Sequence, residues 1–427
     1  MPIPQPVPMA PTLPDIAEAP SRGTPIDLLA GLESGLLTYV DWADDQMALV
    51  DVSLSDHVHI PSDLVELRAL DLNTGKVLWR VPASAFPLEE PAFSSAQVLG
   101  HTAILTVHDS GPNAGGFSLF GLDLATGQLA SSRIPLVDRD ADYEVVDGVL
   151  VVYDQTNVTG YDPTTFAQLW QQPSNKDVTW MYDGDRGVIG GSWVFTGAGY
   201  VVAKDGTPTG LGTEPVSCAY YQQTADGSLF RVSYVRQAVS DFGPWWDEFY
   251  FWLWDAATQT SPWAAPLVAD APDIAAADGT VYVFSGHTNQ PLQLVAAGLA
   301  TGAFKWGQPV TAGGADCTFL CDAAHIRAIE DGYVFGDSIA SADFTMAQYA
   351  ASIDGSGVQD LGDTTLDLME FGPSVMYTDA GGALTAYQLD DALTQLWSLP
   401  LATGEDPIAV GSHFAIVAHD STLTLLS

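Results

Sequence analysis

Basic residues are scarce. The 427 residues hold 13 Lys+Arg against 53 Asp+Glu, a formal net charge of -40, and only four of the 13 are lysine. So negative a chain repels nucleic acid, bare phosphate substrates and anionic membranes. It suits a protein that stays soluble in salt, holds cations diffusely or meets a basic partner. A bias toward Ala and Asp is a plainer source of the charge than a specific acidic function. Long apolar runs are missing too, so no transmembrane helix is expected. Cysteine is down to Cys218, Cys317 and Cys321. Cys317 and Cys321 are close enough to close a small disulfide loop in an exported protein, leaving Cys218 free. No second cysteine pair or histidine cluster completes a zinc site. The sequence also has no G-x-S-x-G, no H-E-x-x-H and no phosphate-binding glycine loop, so no familiar catalytic motif is present.

What is present begins with proline. In MPIPQPVPMAPTLPDIAEAPSRGTP every second residue from Pro2 to Pro8 is proline, and Pro11, Pro14 and Pro20 follow. Residues 1–23 are therefore expected to form an extended, solvated stalk ahead of a single domain over 24–427. A stalk of this kind suits a surface-tethered, extracytoplasmic protein whose export signal or anchor preceded it.

Helical periodicity is almost absent, and short alternating apolar runs take its place: HTAILTVHD (101–109), GVLVVYD (148–154), GTVYVFSG (279–286) and HFAIVAHD (413–420). These are strands, and the fold class is all-β. A larger repeat organises them. ALDLNTGKVLW (69–79) recurs as GLDLATGQLAS (121–131), GYDPTTFAQLW (160–170), LWDAATQTSPW (253–263) and AAGLATGAFKW (296–306), and with one extra residue as TAYQLDDALTQLW (385–397). Two units without the Trp lie around 200–212 and 350–362. A period of about 35 to 56 residues fits four short strands with their turns. The Asp and the Thr-Gly pair build a tight turn whose glycine takes a positive φ, and the Trp offers a flat apolar face between neighbouring sheets.

This segment set resembles the tryptophan-docking motif A-x-D-x-x-x-G-x-x-x-W of the pyrroloquinoline quinone (PQQ)-type β-propeller family. Ala69, Asp71, Gly75 and Trp79 match it fully, and Asp123, Gly127, Asp162, Trp170, Asp255, Trp263, Gly302, Trp306 and Trp397 match in part. The resemblance implies a propeller of four-stranded antiparallel blades. Eight blades are expected, with seven to nine allowed, and a strand near Thr24 to Leu29 is expected to close the last blade. Strict counting gives eight motif units and a C-terminal remnant.

Family enzymes hold the quinone under a disulfide between adjacent cysteines, beside calcium. This chain has no adjacent pair, so neither a catalytic residue nor a cofactor is assigned and a PQQ-dependent dehydrogenase is disfavoured. The family also contains a non-enzymatic lipoprotein that assists outer-membrane β-barrel assembly. That branch implies an interaction scaffold with a protein or envelope partner, acting as a monomer and touching the membrane only through an anchor.

Three other stretches carry chemistry. Asp138, Asp140 and Asp142 open a D-x-D-x-D-x-E run like the start of a calcium loop, but the sixth position is not Gly and Val149 stands where the bidentate Glu belongs. A solvated acidic turn is the plainer reading. His57 and His59 in DHVH share one face if extended, a transition-metal arrangement whose plainer reading is an exposed pair. Trp245 and Trp246 follow Gly243-Pro244 and precede Asp247-Glu248, a docking spot for a sugar, peptide or protein. These two would carry the alternative function of a carbohydrate- or envelope-binding module.

Overall fold

The computed structural model describes residues 13–29, 32, 36–54, 62–109, 116–136, 142–154, 156–174, 188–196, 199–212, 219–238, 245–285, 292–310, 324–339, 346–364, 369–379, 382–390, 393–410, 412–418 and 422–426. Its strands form nine antiparallel blades of four. Blades 1 to 9 begin at their innermost strands with Leu37–Ala43, Pro91–Leu99, Asp142–Val146, Val188–Ile189, Ala219–Gln223, Ile274–Ala277, His325–Glu330, Met369–Phe371 and Glu405–Val410. Blades 1 and 2 are joined into one sheet where Ser62 and Asp63 pair with Phe93 and Ala92.

Nine blades replace the eight expected. The weak unit ending near residue 212 has four strands of its own, Val188–Ile189, Trp193–Phe195, Gly199–Val202 and Pro208–Gly212, although they are short and carry no docking Trp. The eight motif units are thus eight blades, and the C-terminal remnant is the ninth. Its first three strands are Glu405–Val410, His413–Ala418 and Thr422–Leu426, and its fourth is Ile26–Asp27, with Ile26 opposite Leu423 and Asp27 opposite Thr422. Pairing the two ends of the sequence removes the free edge that an open ring would expose.

Apolar side chains fill every interface round the ring. Leu67 meets Leu105 and Phe120, Ile104 meets Leu150, and Trp170 meets Val194 and Val201. One cluster runs from Trp193 and Tyr200 through Tyr221 and Phe251 to Val281 and Val295. Phe284 then meets Tyr349, Phe335 meets Met376, Tyr377 meets Phe414, and Ala415 meets Val50, which closes the circle.

The motif explains how blades register. Asp71 Oδ1 accepts the N–H groups of Asn73 (2.8 Å) and Thr74 (3.1 Å), and Gly75 turns the chain at φ 66°. In four blades a Trp on or just ahead of the fourth strand donates its indole N–H to a backbone carbonyl of the next blade's turn: Trp79 to Leu124 (2.8 Å), Trp170 to Ala203, Trp263 to Leu299 (2.7 Å) and Trp306 to Ile353 (3.1 Å). The ring lies on that turn's glycine. A Cβ at Gly127 would sit 2.7 Å from Trp79 Cδ2, and one at Gly355 would sit 2.5 Å from Trp306 Cγ.

In two of the blades without a docking Trp, the next blade compensates. Blade 2 has none, and blade 3 replaces the turn glycine with Phe166, held at φ 56°, whose ring covers Gly121 of blade 2. Blade 7 has none, and Leu393 of blade 8, at φ 46°, is buried with Ala350 and Leu361. A Cβ at Gly160, the motif's first position in blade 3, would lie 2.3 Å from Trp170, so smallness there makes room for the Trp of the same blade.

The N-terminal segment differs from a solvated stalk over its described part. Leu13 is 2% exposed, Tyr377 Oη donates to Pro14 O (2.6 Å) and accepts from Ile16 N (2.7 Å), and Ser374 bonds both oxygens of Asp15. Trp397 donates to Ile16 O at 2.8 Å. The cause is topological. Blade 9 takes its third and fourth strands from opposite ends of the sequence, so it has no turn between them to receive Trp397, and residues 13–16 supply the carbonyl. Arg22 then grips Glu405 (2.9 Å to Oε2) and Pro400 O (3.0 Å).

Candidate functional site

Antiparallel strands send alternate connections to opposite faces, and the two faces differ. On one face lie the motif turns and the tight links between first and second strands. Three of those links are Asp-Gly pairs with positive φ at both residues: Asp147-Gly148, Asp278-Gly279 and Asp331-Gly332. Such type I′ turns leave little chain beyond the strand ends. On the other face, the loop-bearing one, lie the strand ends that lead from second to third strands and from one blade to the next.

Of the sequence-predicted residues, His57, His59, Asp138, Asp140, Cys218, Cys317 and Cys321 lie outside the described residues. Asp142 opens the first strand of blade 3, paired with Tyr153. Trp245 and Trp246 begin the third strand of blade 5, opposite Ala238 and Gln237, directly after 239–244.

Sequence reasoning missed two constellations on the innermost strands, both at β-bulges. Asp41 sits where the pairing slips between Val40 and Trp42. A bulge re-aims the side chain of its extra residue. The Asp41 carboxyl is buried beside that of Asp51, which is 0% exposed and accepts Ser53 Oγ at 2.6 Å. Burial, and then the charge of Asp51, push Asp41 well above the usual carboxylate range, partly offset by the Asp51 N–H. Arg327 occupies the corresponding bulge of blade 7, between Ile326 and Ala328. Its Nε donates to Asp337 Oδ2 at 2.5 Å, and the Asp337 carboxylate is fully buried. Two residues earlier, His325 Nδ1 lies 3.2 Å from Asp273 Oδ2, which also accepts Ile326 N. The bond to Asp273 raises the imidazole's pKa against the opposing effect of burial. Tyr349 completes the group. Its hydroxyl is buried over Gly336 with no partner among the described residues, and burial with the nearby Asp337 and Asp273 pushes it well above the phenol range.

The three cysteines are not adjacent in the sequence, and among the described residues no three His, Cys, Asp or Glu side chains gather round one point. Among the described residues, no helix is long and apolar enough to cross a membrane.

Residues 66–335 match the family of the outer membrane protein assembly factor BamB. Similar solved structures include BamB from Moraxella catarrhalis, with 11% identity and a TM-score of 0.43, covering 96% of this chain and 98% of that one. Quinohemoprotein alcohol dehydrogenase from Comamonas testosteroni has 11% identity and a TM-score of 0.43, covering 95% of this chain and 76% of that one. No curated protein sequence matches the chain.

Proposed function

Because the chain belongs to the family of the outer membrane protein assembly factor BamB, we propose that it is a non-enzymatic scaffold which engages a protein partner in the cell envelope through its loop-bearing face. The observation that carries this reading is the asymmetry between the faces. One is closed largely by two-residue and motif turns, while the other carries the strand ends that lead from blade to blade. Binding residues concentrate on loops held by a rigid frame, and the docked Trp residues make this frame rigid. The charge of -40 favours a partner that is basic where the two meet. No resident cofactor is assigned. The protein acts outside the cytoplasm as a monomer tethered to the envelope.

Trp245 and Trp246 are the side chains proposed to make contact, since aromatic anchors beside acidic residues supply large contact area at low entropic cost. Affinity capture from envelope extract should enrich one protein reproducibly with the wild type. That protein should drop by about tenfold with Trp245→Ala or Trp246→Ala. Equal enrichment by all three proteins overturns the assignment of these residues, and enrichment of a glycan instead of a protein overturns the scaffold reading.

A further inference from the structure

The second and third strands of blade 5, Leu229–Ala238 and Trp245–Leu253, pair without a bulge from Phe230 opposite Leu253 to Ala238 opposite Trp245. Their outer neighbour stops short. The fourth strand, Leu267–Ala269, covers only Phe249 to Phe251, and the next residue turns to blade 6, where Asp270 N bonds Phe284 O at 2.9 Å. Among the described residues, Trp245 to Glu248 therefore have no strand on their outer side. The phase of the ladder decides which backbone groups that edge offers. Trp254 N bonds Leu229 O at 2.8 Å, and bonded rows alternate with unbonded ones in an antiparallel pair. Trp246 and Glu248 thus turn their backbone N–H and C=O groups to the second strand. Trp245 and Asp247 turn theirs outward, continuing the line of the fourth strand.

One face of the same blade is apolar and open to solvent. Val268, opposite Tyr250, is 36% exposed, and Val235, opposite Glu248 and two residues beyond Ser233 of the Tyr250 row, is 48% exposed. Alternation puts both valines on one face, the face on which Tyr221 meets Tyr200 of blade 4. Blade 4 has strands of only two to five residues, which leave the two valines uncovered. An open edge beside an apolar face is a template for another strand. We propose that the outer edge of Trp245–Glu248 receives an extended segment of the protein partner by strand addition, with a basic residue opposite Asp247 and apolar residues on the valine face. Charge selects this occupant. A residue directly across from an aspartate is favoured when it is basic, and a chain of net charge -40 attracts a basic segment. A second copy would set Asp247 and Glu248 of one edge against the same acids of the other. The inference deepens the scaffold reading and rests on it for the existence of the partner.

Calorimetric titration of the full chain with acetyl-Thr-Lys-Val-Arg-Val-Lys-Thr-amide tests the edge, beside the same peptide N-methylated at its Lys and Arg residues. Those residues would turn their N–H groups to Trp245 and Asp247, so methylation removes the ladder and keeps every charge. The unmethylated peptide should bind saturably, and the methylated one about tenfold more weakly or worse. Asp247→Pro deletes an outward N–H without breaking a bond to the second strand, so this variant should fold and bind about tenfold more weakly. Asp247→Asn keeps the N–H and should lose only a few-fold. Equal binding of the methylated peptide, no saturable binding of either, undiminished binding by a folded Asp247→Pro protein, or a wild-type dimer that this substitution abolishes overturns the proposal. Affinity capture separates its failure from that of the scaffold reading. One envelope protein enriched equally by wild type and Asp247→Pro removes the edge alone, whereas no protein enriched by the wild type removes the scaffold.

Discussion

A single indole carries two jobs in each docking contact, and they can be separated. Trp79→Phe keeps an aromatic ring on Gly127 but loses the bond to Leu124 O. It should cost about 1–2 kcal/mol in urea unfolding. Gly127→Ala forces a methyl to 2.7 Å from that ring at φ 70°, and should cost more, roughly 2–4 kcal/mol. The reverse order would mean that the ring does not rest on the glycine. Asp41 gives a prediction of opposite sign. Its folded-state carboxyl is raised, so the stability it contributes is present below its unfolded pKa and is lost as pH rises toward the folded value. Asp41→Asn should therefore raise stability at pH 7 by roughly 1–3 kcal/mol, and the difference should shrink toward pH 3. Equal stability gains at both pH values would show that the carboxyl is not buried with Asp51. The docking Trp, Asp and Gly residues were legible in the sequence because the same geometry recurs at one spacing. Asp41, His325 and Arg327 were not, because a bulge breaks the alternation from which facing is read, and nothing local in the sequence marks it.

At the level of elements, the blades with a missing Trp show which of two effects wins. Phe166 is strained at φ 56° yet 5% exposed over Gly121. Phe166→Gly relieves about 1 kcal/mol of strain and empties a site worth about 3–5 kcal/mol. A net loss of roughly 2–4 kcal/mol is expected, and a stabilised variant would show that the ring does not replace the absent indole. The N-terminal segment makes a second case. Leu13→Asp buries a carboxylate against blade 8 and should both lower the unfolding midpoint and speed protease cleavage ahead of Arg22. Unchanged cleavage would mean that the segment does not rest on Tyr377 and Trp397. The strand that closes blade 9 was readable, since the C-terminal remnant lacks an outermost strand and Thr24 to Leu29 can supply one. The docking of residues 13–16 was not, because alternating prolines describe the backbone conformation and say nothing about a Trp397 N–H left without its turn.

For the whole molecule, the ring is a rigid frame with one plain face and one loop-bearing face. The eight motif units plus a terminal remnant already pointed to nine blades, and the family norm pulled the expected number down to eight. The short strands around Trp193 and Tyr200 are held by aromatic packing, with Tyr200 Oη bonded to Tyr221 O at 2.8 Å, and such packing leaves no fixed spacing in the sequence. The division between faces was only half visible. Trp245 and Trp246 were legible as residues, but the side of the ring on which their strand begins follows from strand order alone. Site-specific photo-crosslinking in intact cells tests the claim that this side is the working one. Crosslinkers go at Trp246 and at Asn73, which lie at opposite ends of the strands. One discrete protein adduct is expected from Trp246 and none from Asn73. Adducts from Asn73 alone, or from neither position, would contradict it.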